Sequence, residues 1–207
     1  ERADGQLKRK IALKLPRMVW ADDLATRMAR ERDILGALEH PNIARLYDAG
    51  VDDKGRPYLA LEYVEGQRID AYCDARCLTI RQRIELFLQV LAAVQYAHVN
   101  LVVHRDIKPA NVLINQQGAA KLLDFGIARL EVDARMLEEL GDVAQTSTRA
   151  MTPRYASPEQ VRGERLSLVS DVYSLGVLLY ELLTGRSPYH LRNDSRAALE
   201  IAVTEGD

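Results

Sequence analysis

The stretch over residues 102–126 constrains the fold most, because it places polar side chains at both ends of one predicted hairpin. Its sequence is VVHRDIKPANVLINQQGAAKLLDFG. Two short apolar runs, 112–114 and 122–123, predict strands. The segment between them, 115–119, contains Gln-Gln-Gly, which favours a tight turn. A hairpin of this kind brings the polar residues before its first strand close to those after its second.

The polar residues at this end of the hairpin combine two carboxylates, an amide and an ammonium group. Asp106, Lys108 and Asn111 precede the first strand, and Asp124 follows the second. Oxygen ligands such as Asn111 and Asp124 suit Mg²⁺, which favours carboxylates together with substrate phosphates. Asp106 is suited to orient and deprotonate a hydroxyl, and Lys108 to neutralise charge on a phosphoryl group during transfer.

Two motifs in this stretch resemble those of a known family. H-R-D-I-K-P-A-N followed by D-F-G is similar to the catalytic and metal-binding loops of protein kinases. The alternative is a polar loop with chance matches, but two ordered motifs at this spacing are far more specific than one. Lys108, and Thr152 ahead of Pro153, match the pattern of serine/threonine kinases rather than tyrosine kinases. The residues of the motifs resemble those of bacterial members. The resemblance implies a two-lobed α+β fold, with a small antiparallel sheet lobe carrying one helix and a larger, mainly helical lobe.

The small lobe is expected over residues 1–64. A strand is predicted over 10–15, and Lys14 in I-A-L-K resembles the kinase lysine that holds the nucleotide phosphates. A helix is predicted over 22–39, and Glu31 falls on its apolar face, where an ionised carboxylate needs a cation. The resemblance implies that Lys14 is this partner. The alternative is a surface pair with one of the nearby arginines, Arg27, Arg30 and Arg32.

The nucleotide site is expected at the end of the small lobe. Strands are predicted over 43–50 and 57–64, joined by a polar turn. The resemblance makes Leu61 the gatekeeper and residues 62–64 the hinge that offers backbone groups to adenine, whereas the residues alone indicate only that Leu61 and Val64 are core positions. The ATP-binding residues implied by the resemblance are Ala12, Lys14, Leu61, Glu62, Val64, Leu113 and Asp124.

The large lobe is expected over residues 65–207. Helices are predicted over 69–76, from a capping box at Thr79 and Gln82 to about residue 98, over 168–183 and over 195–204. The helix over 168–183 is apolar on nearly every face, which predicts that it is buried. Asp171 in its first turn would then have to cap backbone amides, and the resemblance implies that it holds the H-R-D backbone.

Three further residues receive structural roles from the resemblance: His104, Phe125 and Glu159. In the family, Glu159 in the Pro-Glu closure meets an arginine from later helices. We expect those helices, and the Gly-rich loop that precedes Lys14 in the family, to be missing from this sequence. Glu159 is therefore expected to be unpaired or to use a local group such as Arg162.

The segment over 127–150 resembles a kinase activation segment. The resemblance implies that Arg105 receives a phosphate from this segment, because a phosphate adds about −1.5 to −2 charge and three acceptor oxygens. In addition to Arg105, the candidate regulatory residues are Thr146, Ser147, Thr148 and Thr152. The alternative is that these hydroxyl residues form an ordinary solvated loop.

Composition excludes several other classes of function. The 207 residues carry a net charge of −2, which gives no basic surface for nucleic acid. The longest apolar stretch, 172–183, is shorter than the roughly 20 residues of a membrane helix, and no leader opens the sequence, so we expect no membrane segment and a cytoplasmic location. Cys73 and Cys77 lack further cysteines to complete a zinc site and are expected to be reduced thiols.

The function that the resemblance implies is transfer of the ATP γ-phosphoryl group, with Mg²⁺, to a serine or threonine hydroxyl of a protein substrate. Self-association for autophosphorylation is a further expectation. The alternative is a catalytically impaired fragment or pseudokinase that serves as a binding scaffold. The presence of five residues argues against that alternative: Lys14, Glu31, Asp106, Asn111 and Asp124.

Overall fold

The computed structural model describes residues 10–15, 32, 35–53, 56–125, 153–189 and 201–203. The strands of this part are β1 (Ile11–Lys14), β2 (Leu46–Val51), β3 (Pro57–Glu62), β4 (Gly66–Arg68), β5 (Val112–Asn115) and β6 (Ala120–Leu122). Its α-helices are α1 (Ile69–Ala75), α2 (Ile80–Val99), α3 (Pro158–Arg162) and α4 (Leu168–Thr184), and short 3₁₀ turns lie at Pro109–Asn111 and Pro153–Tyr155.

The first sheet is antiparallel, with β3 between β1 and β2. The predicted strand over 10–15 is confirmed by β1. The strand predicted over 43–50 begins only at Leu46, because the preceding residues contact the other sheet. Ile43 forms a parallel bridge with Leu122, and the Ala44 amide donates to the Leu122 carbonyl at 2.9 Å. This short segment therefore links the two sheets instead of extending β2.

The second sheet contains the predicted hairpin. β5 pairs with β6 in antiparallel register, with Val112 opposite Leu122, although β6 begins at Ala120 and ends one residue earlier than predicted. β4 was not predicted, because three exposed polar residues give no strand pattern. It pairs with β5, and a Cβ on Gly66 would lie 2.5 Å from the Ile114 carbonyl oxygen. Only glycine allows the two backbones to approach this closely.

Helix α2 confirms its predicted start. The Thr79 hydroxyl accepts a hydrogen bond from the Gln82 amide, and the Gln82 side chain accepts one from the Thr79 amide at 2.9 Å. The buried face of α2 carries Leu86, Phe87, Val90, Ala93, Val94 and Ala97. Asn100 caps the helix, and Leu101 follows with φ 59°, in the left-handed region that usually holds glycine or asparagine at a helix end.

The prediction that α4 is buried rather than amphipathic is correct for one side of the helix and wrong for the other. Ser170, Leu175, Leu178 and Leu182 are buried, but Val169 is 68% exposed and Val172 is 58% exposed. Within the described residues, α2, α3 and the 153–155 turn contact α4. These neighbours cover one side of the helix, so an apolar sequence on all faces does not by itself bury all faces.

One contiguous cluster of buried apolar side chains connects the two sheets to helices α2 and α4. It includes Leu59 of β3, Leu122 of β6, Val90 of α2 and Leu178 of α4. Cys73 is a buried member and Cys77 is exposed, and both are free thiols, as predicted. No described helix combines the length and the apolar character needed to cross a bilayer.

Two predicted helices fall mostly outside the described residues. Of the helix over 22–39, Arg32, Leu35 and Gly36 are described as helical, and Leu35 and Leu38 are buried. Of the helix over 195–204, residues 201–203 are described, and they are helical. The lobe boundary after residue 64 stays a prediction.

Candidate active site

A buried carboxylate fixes the backbone of the candidate catalytic loop, residues 104–111. Asp171, 1% exposed, accepts hydrogen bonds from the amides of His104 at 2.7 Å and Arg105 at 2.8 Å. Its Oδ2 also lies 2.8 Å from His98 Nε2. A buried carboxylate is costly without such partners. The prediction that Asp171 caps backbone amides is therefore confirmed, and the amides belong to the H-R-D segment.

His104 joins this loop to the segment that carries Asp124. Its Nδ1 accepts from the Asp106 amide at 3.2 Å, so its Nε2 carries the proton and donates to the Leu123 carbonyl at 2.8 Å. Its ring also lies 4.7 Å from the Phe125 ring, centroid to centroid. Complete burial lowers the pKa of His104, which keeps the imidazole neutral. His104 and Phe125 thus contact each other across the two motifs.

Asp106, the candidate base, is held by two neighbouring side chains. Lys108 Nζ lies 2.9 Å from Asp106 Oδ2, and Asn111 Nδ2 donates to the same oxygen at 2.9 Å. Asn111 Nδ2 also donates to the Asp106 backbone carbonyl at 2.7 Å. The Asp106 side chain is 24% exposed, so a substrate hydroxyl could approach a carboxylate whose orientation is already fixed.

The candidate cation ligands Asn111 and Asp124 are brought together by the backbone. The Leu123 amide, next to Asp124, donates to the Asn111 carbonyl at 2.8 Å. Because the Asn111 side-chain nitrogen is bound to Asp106, its side-chain oxygen is the atom suited to a cation. In the described part of the chain, no group of three or more His, Cys, Asp and Glu residues could hold a metal. Two hard oxygen ligands completed by phosphate oxygens fit Mg²⁺.

Lys14 reaches the same place from the first sheet. Its Nζ lies 3.1 Å from Asp124 Oδ2, and each side chain is 34% exposed. Glu31, the partner that the resemblance implies for Lys14, lies outside the described residues, so that pairing stays a prediction. The regulatory candidates Thr146, Ser147, Thr148 and Thr152 lie outside them as well, and the role of Arg105 stays a prediction with them.

The candidate adenine-binding residues occupy both sheets. Ala12 lies directly opposite Leu61 in the β1–β3 register, so their side chains share one face of the first sheet. Lys14 lies on the same face of β1, two residues further along. Leu113 lies on β5 of the second sheet, and Val64 follows β3. Leu61, Val64 and Leu113 are all half-buried.

Comparison with known proteins decides the family. A family model described as the protein kinase domain matches residues 4–205. The chain belongs to the protein kinase family. Its similar relatives include a probable serine/threonine-protein kinase of Streptomyces coelicolor, 40% identical over 90% of this chain and 28% of the relative. PrkC of Bacillus subtilis is 38% identical over 95% of this chain and 29% of the relative, and PknB of Mycobacterium tuberculosis is 38% identical over 90% and 30%. The chain thus spans less than a third of the length of these relatives.

Sequence reasoning missed one anchor of this kinase catalytic loop. Gln160, 6% exposed, donates from Nε2 to the Arg105 carbonyl at 2.7 Å. Its Oε1 accepts from the Ser157 amide at 2.9 Å, as part of a capping box that begins α3. The Ser-x-x-Gln spacing was visible in the sequence. The contact of its side chain with Arg105 was not, because it joins residues 55 positions apart.

Within the described residues Glu159 uses a local group, as expected, but that group is the Ser170 hydroxyl instead of the Arg162 guanidinium. Ser170, on α4, donates from its hydroxyl to Glu159 Oε1 at 2.5 Å, whereas Arg162 lies 4.0 Å from Glu164. Burial alone would raise the pKa of Glu159, but hydrogen bonds, chiefly from Ser170, and the charge of Arg162 hold it below its usual value. A hydroxyl of the neighbouring helix is therefore the local partner of Glu159.

Proposed function

We propose that this kinase domain transfers the γ-phosphoryl group of ATP to a serine or threonine hydroxyl of a protein. The observation that carries the proposal is that Lys108 and Asn111 both contact Asp106. The Asn111 carbonyl bonds the amide next to Asp124, and Asp124 pairs with Lys14. The names of the relatives, all serine/threonine-protein kinases, support the same reaction.

In this proposal Asp106 orients the substrate hydroxyl and accepts its proton as the oxygen attacks the γ-phosphorus, while the bond from that phosphorus to the departing ADP breaks. Lys108, 2.9 Å from Asp106, stabilises negative charge on the phosphoryl oxygens. Asn111 holds Asp106 through its amide nitrogen and offers its oxygen to Mg²⁺. Bound Mg²⁺ would neutralise charge on the phosphates. Residues of one loop therefore accept the proton, bind the cation and stabilise the phosphoryl group.

The nucleotide is held from the first sheet in the same proposal. Lys14 binds the phosphates near Asp124, which is the main Mg²⁺ ligand with Asn111 as the second, and the existing 3.1 Å contact brings Lys14 and Asp124 within reach of one bound group. Ala12, Leu61, Val64 and Leu113 form the apolar walls for adenine. The hinge at Glu62–Val64 supplies backbone hydrogen bonds to the base.

The proposal includes regulation and location. Arg105 binds a phosphate on Thr148, or on Thr146 or Ser147 in its place, and phosphate–arginine pairs order the surrounding loop that leads to Thr152. Transfer onto this segment takes place between two copies of the protein, so self-association accompanies autophosphorylation. The free thiols of Cys73 and Cys77 support a reducing, cytoplasmic compartment.

A phosphotransfer assay with Mg-ATP and a serine-rich protein substrate tests this function. Asp106→Asn should slow turnover by about 10² to 10⁴, the usual contribution of a positioned base, while nucleotide affinity stays near that of the parent. Asp53→Asn, which changes an exposed carboxylate in the turn between β2 and β3, is the matched control and should leave turnover unchanged. Nucleotide binding without any phosphotransfer by the parent would indicate a binding scaffold instead.

A further inference from the structure

Lys121, on β6, contacts two segments outside its own sheet. Its Nζ lies 3.1 Å from Glu62 Oε2 at the end of β3 and 3.4 Å from the Ile43 carbonyl oxygen. The side chains of Lys121 and Glu62 are 17% and 28% exposed, so this pair is shielded from solvent more than the Arg81–Glu85 pair on α2, whose side chains are 89% and 58% exposed. The Lys121–Glu62 bridge therefore joins the first sheet to the second.

Glu62 is held by its backbone and by its side chain. Its amide donates to the Arg45 carbonyl at 2.8 Å, and its Oε2 accepts from the Arg45 amide at 3.1 Å. With Lys121 on the same oxygen, three contacts fix the residue at which β3 ends and the hinge begins. The position of the hinge backbone therefore depends on a side chain from the other sheet.

The register of β5 and β6 places Lys121 beside the proposed adenine pocket. Lys121 lies directly opposite Leu113, and side chains of directly opposed residues project from the same face of a sheet. Leu113 is the proposed apolar wall of the adenine pocket on this sheet, and Glu62 is the first residue of the hinge. The bridge thus connects two sides of one pocket without occupying it.

We propose that Lys121 is a positioning residue for the nucleotide, which holds the hinge at a fixed separation from the β5–β6 hairpin through the Lys121–Glu62 bridge. This inference rests on the proposed function. When a ligand binds a pocket that already has its binding geometry, less free energy is lost to ordering the pocket, so the affinity is higher. Loss of the lysine also leaves the Glu62 carboxylate half-buried without its cation, which moves the hinge.

The test compares Lys121→Met with Arg81→Met. Arg81 makes a bridge of similar length, 3.2 Å to Glu85, but on the exposed surface of α2. Lys121→Met should weaken Mg-ATP affinity by about threefold to tenfold in calorimetry and raise KM for ATP by a similar factor, with a much smaller change in kcat. Arg81→Met should match the parent. The exchanged pair Lys121→Glu with Glu62→Lys should recover most of the affinity, which a merely structural loss would not allow.

Hydrogen exchange without nucleotide separates this inference from the proposed function. In the Lys121→Met protein the Glu62 amide should exchange faster than in the parent, and Glu62→Gln provides the same comparison if Lys121→Met does not fold. Exchange and affinity that both stay at the parental value would overturn the inference, and so would faster exchange with unchanged affinity. A parent that binds no nucleotide would instead reject the proposed function, whatever the exchange rates.

Discussion

The catalytic loop and the nucleotide-facing pair lie next to each other but are held in different ways. The loop backbone is fixed by Asp171, which is buried and contacts three groups, and by Gln160. Lys14 and Asp124 make one ion pair, with a third of each side chain exposed. The difference predicts that, in the proposed function, the loop that carries Asp106 stays in place, whereas Lys14 and Asp124 exchange partners when a nucleotide binds.

The largest expected effect comes from loosening the loop. Asp171→Asn replaces an acceptor of several hydrogen bonds by an amide, so that at least one buried amide of His104 or Arg105 loses its partner. We expect the free energy of unfolding to fall by about 3 kcal/mol in urea titrations, since each unsatisfied buried group costs about 1–3 kcal/mol. Asp74→Asn, which changes an exposed partner of Arg83, is the control and should cost less than about 1 kcal/mol. Equal losses of unfolding free energy in Asp171→Asn and Asp74→Asn would contradict the conclusion that Asp171 fixes the loop.

The nucleotide side should show the opposite pattern. Asp124→Asn removes a carboxylate whose ion pair is a third exposed, so the free energy of unfolding should change by less than about 1 kcal/mol. Mg-ATP affinity measured by calorimetry should fall about tenfold or more, which is at least about 1.4 kcal/mol. A variant that binds Mg-ATP like the parent would contradict the role of Asp124, and one that unfolds like Asp171→Asn would show that this side is equally rigid.

Acid should weaken the catalytic loop through His104. Burial lowers the pKa of this imidazole, so below its usual value of 6.5 the unfolded chain binds a proton that the folded chain does not. Stability is therefore full above pH 6.5 and falls as the pH drops toward the folded-state pKa, with a slope of up to about 1.4 kcal/mol per pH unit. Unfolding titrations between about pH 5 and 7 measure this slope.

His40 must be separated from this effect, because burial, helped by the charge of Lys121, lowers its pKa too. The His40→Gln protein should keep the slope that His104 causes. In His104→Asn, where the side-chain oxygen can still accept from the Asp106 amide, that part of the slope should disappear. A slope that survives in His104→Asn would assign the acid sensitivity to another group.

The smallest expected change in the free energy of unfolding comes from Leu101, which lies between the end of α2 and the candidate catalytic loop. Leu101 has φ 59° directly after the end of α2 and is 85% exposed, so its side chain gains little from packing. Asparagine tolerates the left-handed region better than leucine. Leu101→Asn should raise the free energy of unfolding by about 0.5–1 kcal/mol in the same titrations. A loss of stability would mean that the Leu101 side chain has contacts that outweigh its backbone strain.

Local patterns in the sequence predicted local features of the fold. The hairpin of β5 and β6, the capping box of α2 and the amide-capping role of Asp171 each depend on periodicity, turn residues or the cost of a buried charge. The features that were missed depend on contacts between distant segments. Residues 43 and 44 left β2 because β6 offers them a bridge and a hydrogen bond, β4 forms because β5 is beside it, and the local partner of Glu159 is a serine of the next helix.

The candidate site follows the same division. The motifs identified Asp106, Lys108, Asn111 and Asp124 as a group, and the structure places the first three in direct contact. The sequence could not show that Gln160 supports the loop from α3, or that Lys14 contacts Asp124, because neither spacing nor composition encodes such distances. The burial of α4 was overestimated for the same reason, since apolar side chains do not specify which neighbours cover them.

The close approach at Gly66 limits which residue can begin β4. The Ile114 carbonyl oxygen occupies the space where any other residue would place its Cβ, although the φ angle of Gly66 is ordinary. A substitution here cannot be absorbed by rotating a side chain, because both contacting groups are backbone. In any protein that keeps this chain path, this one position must therefore remain glycine or the β4–β5 pairing must open.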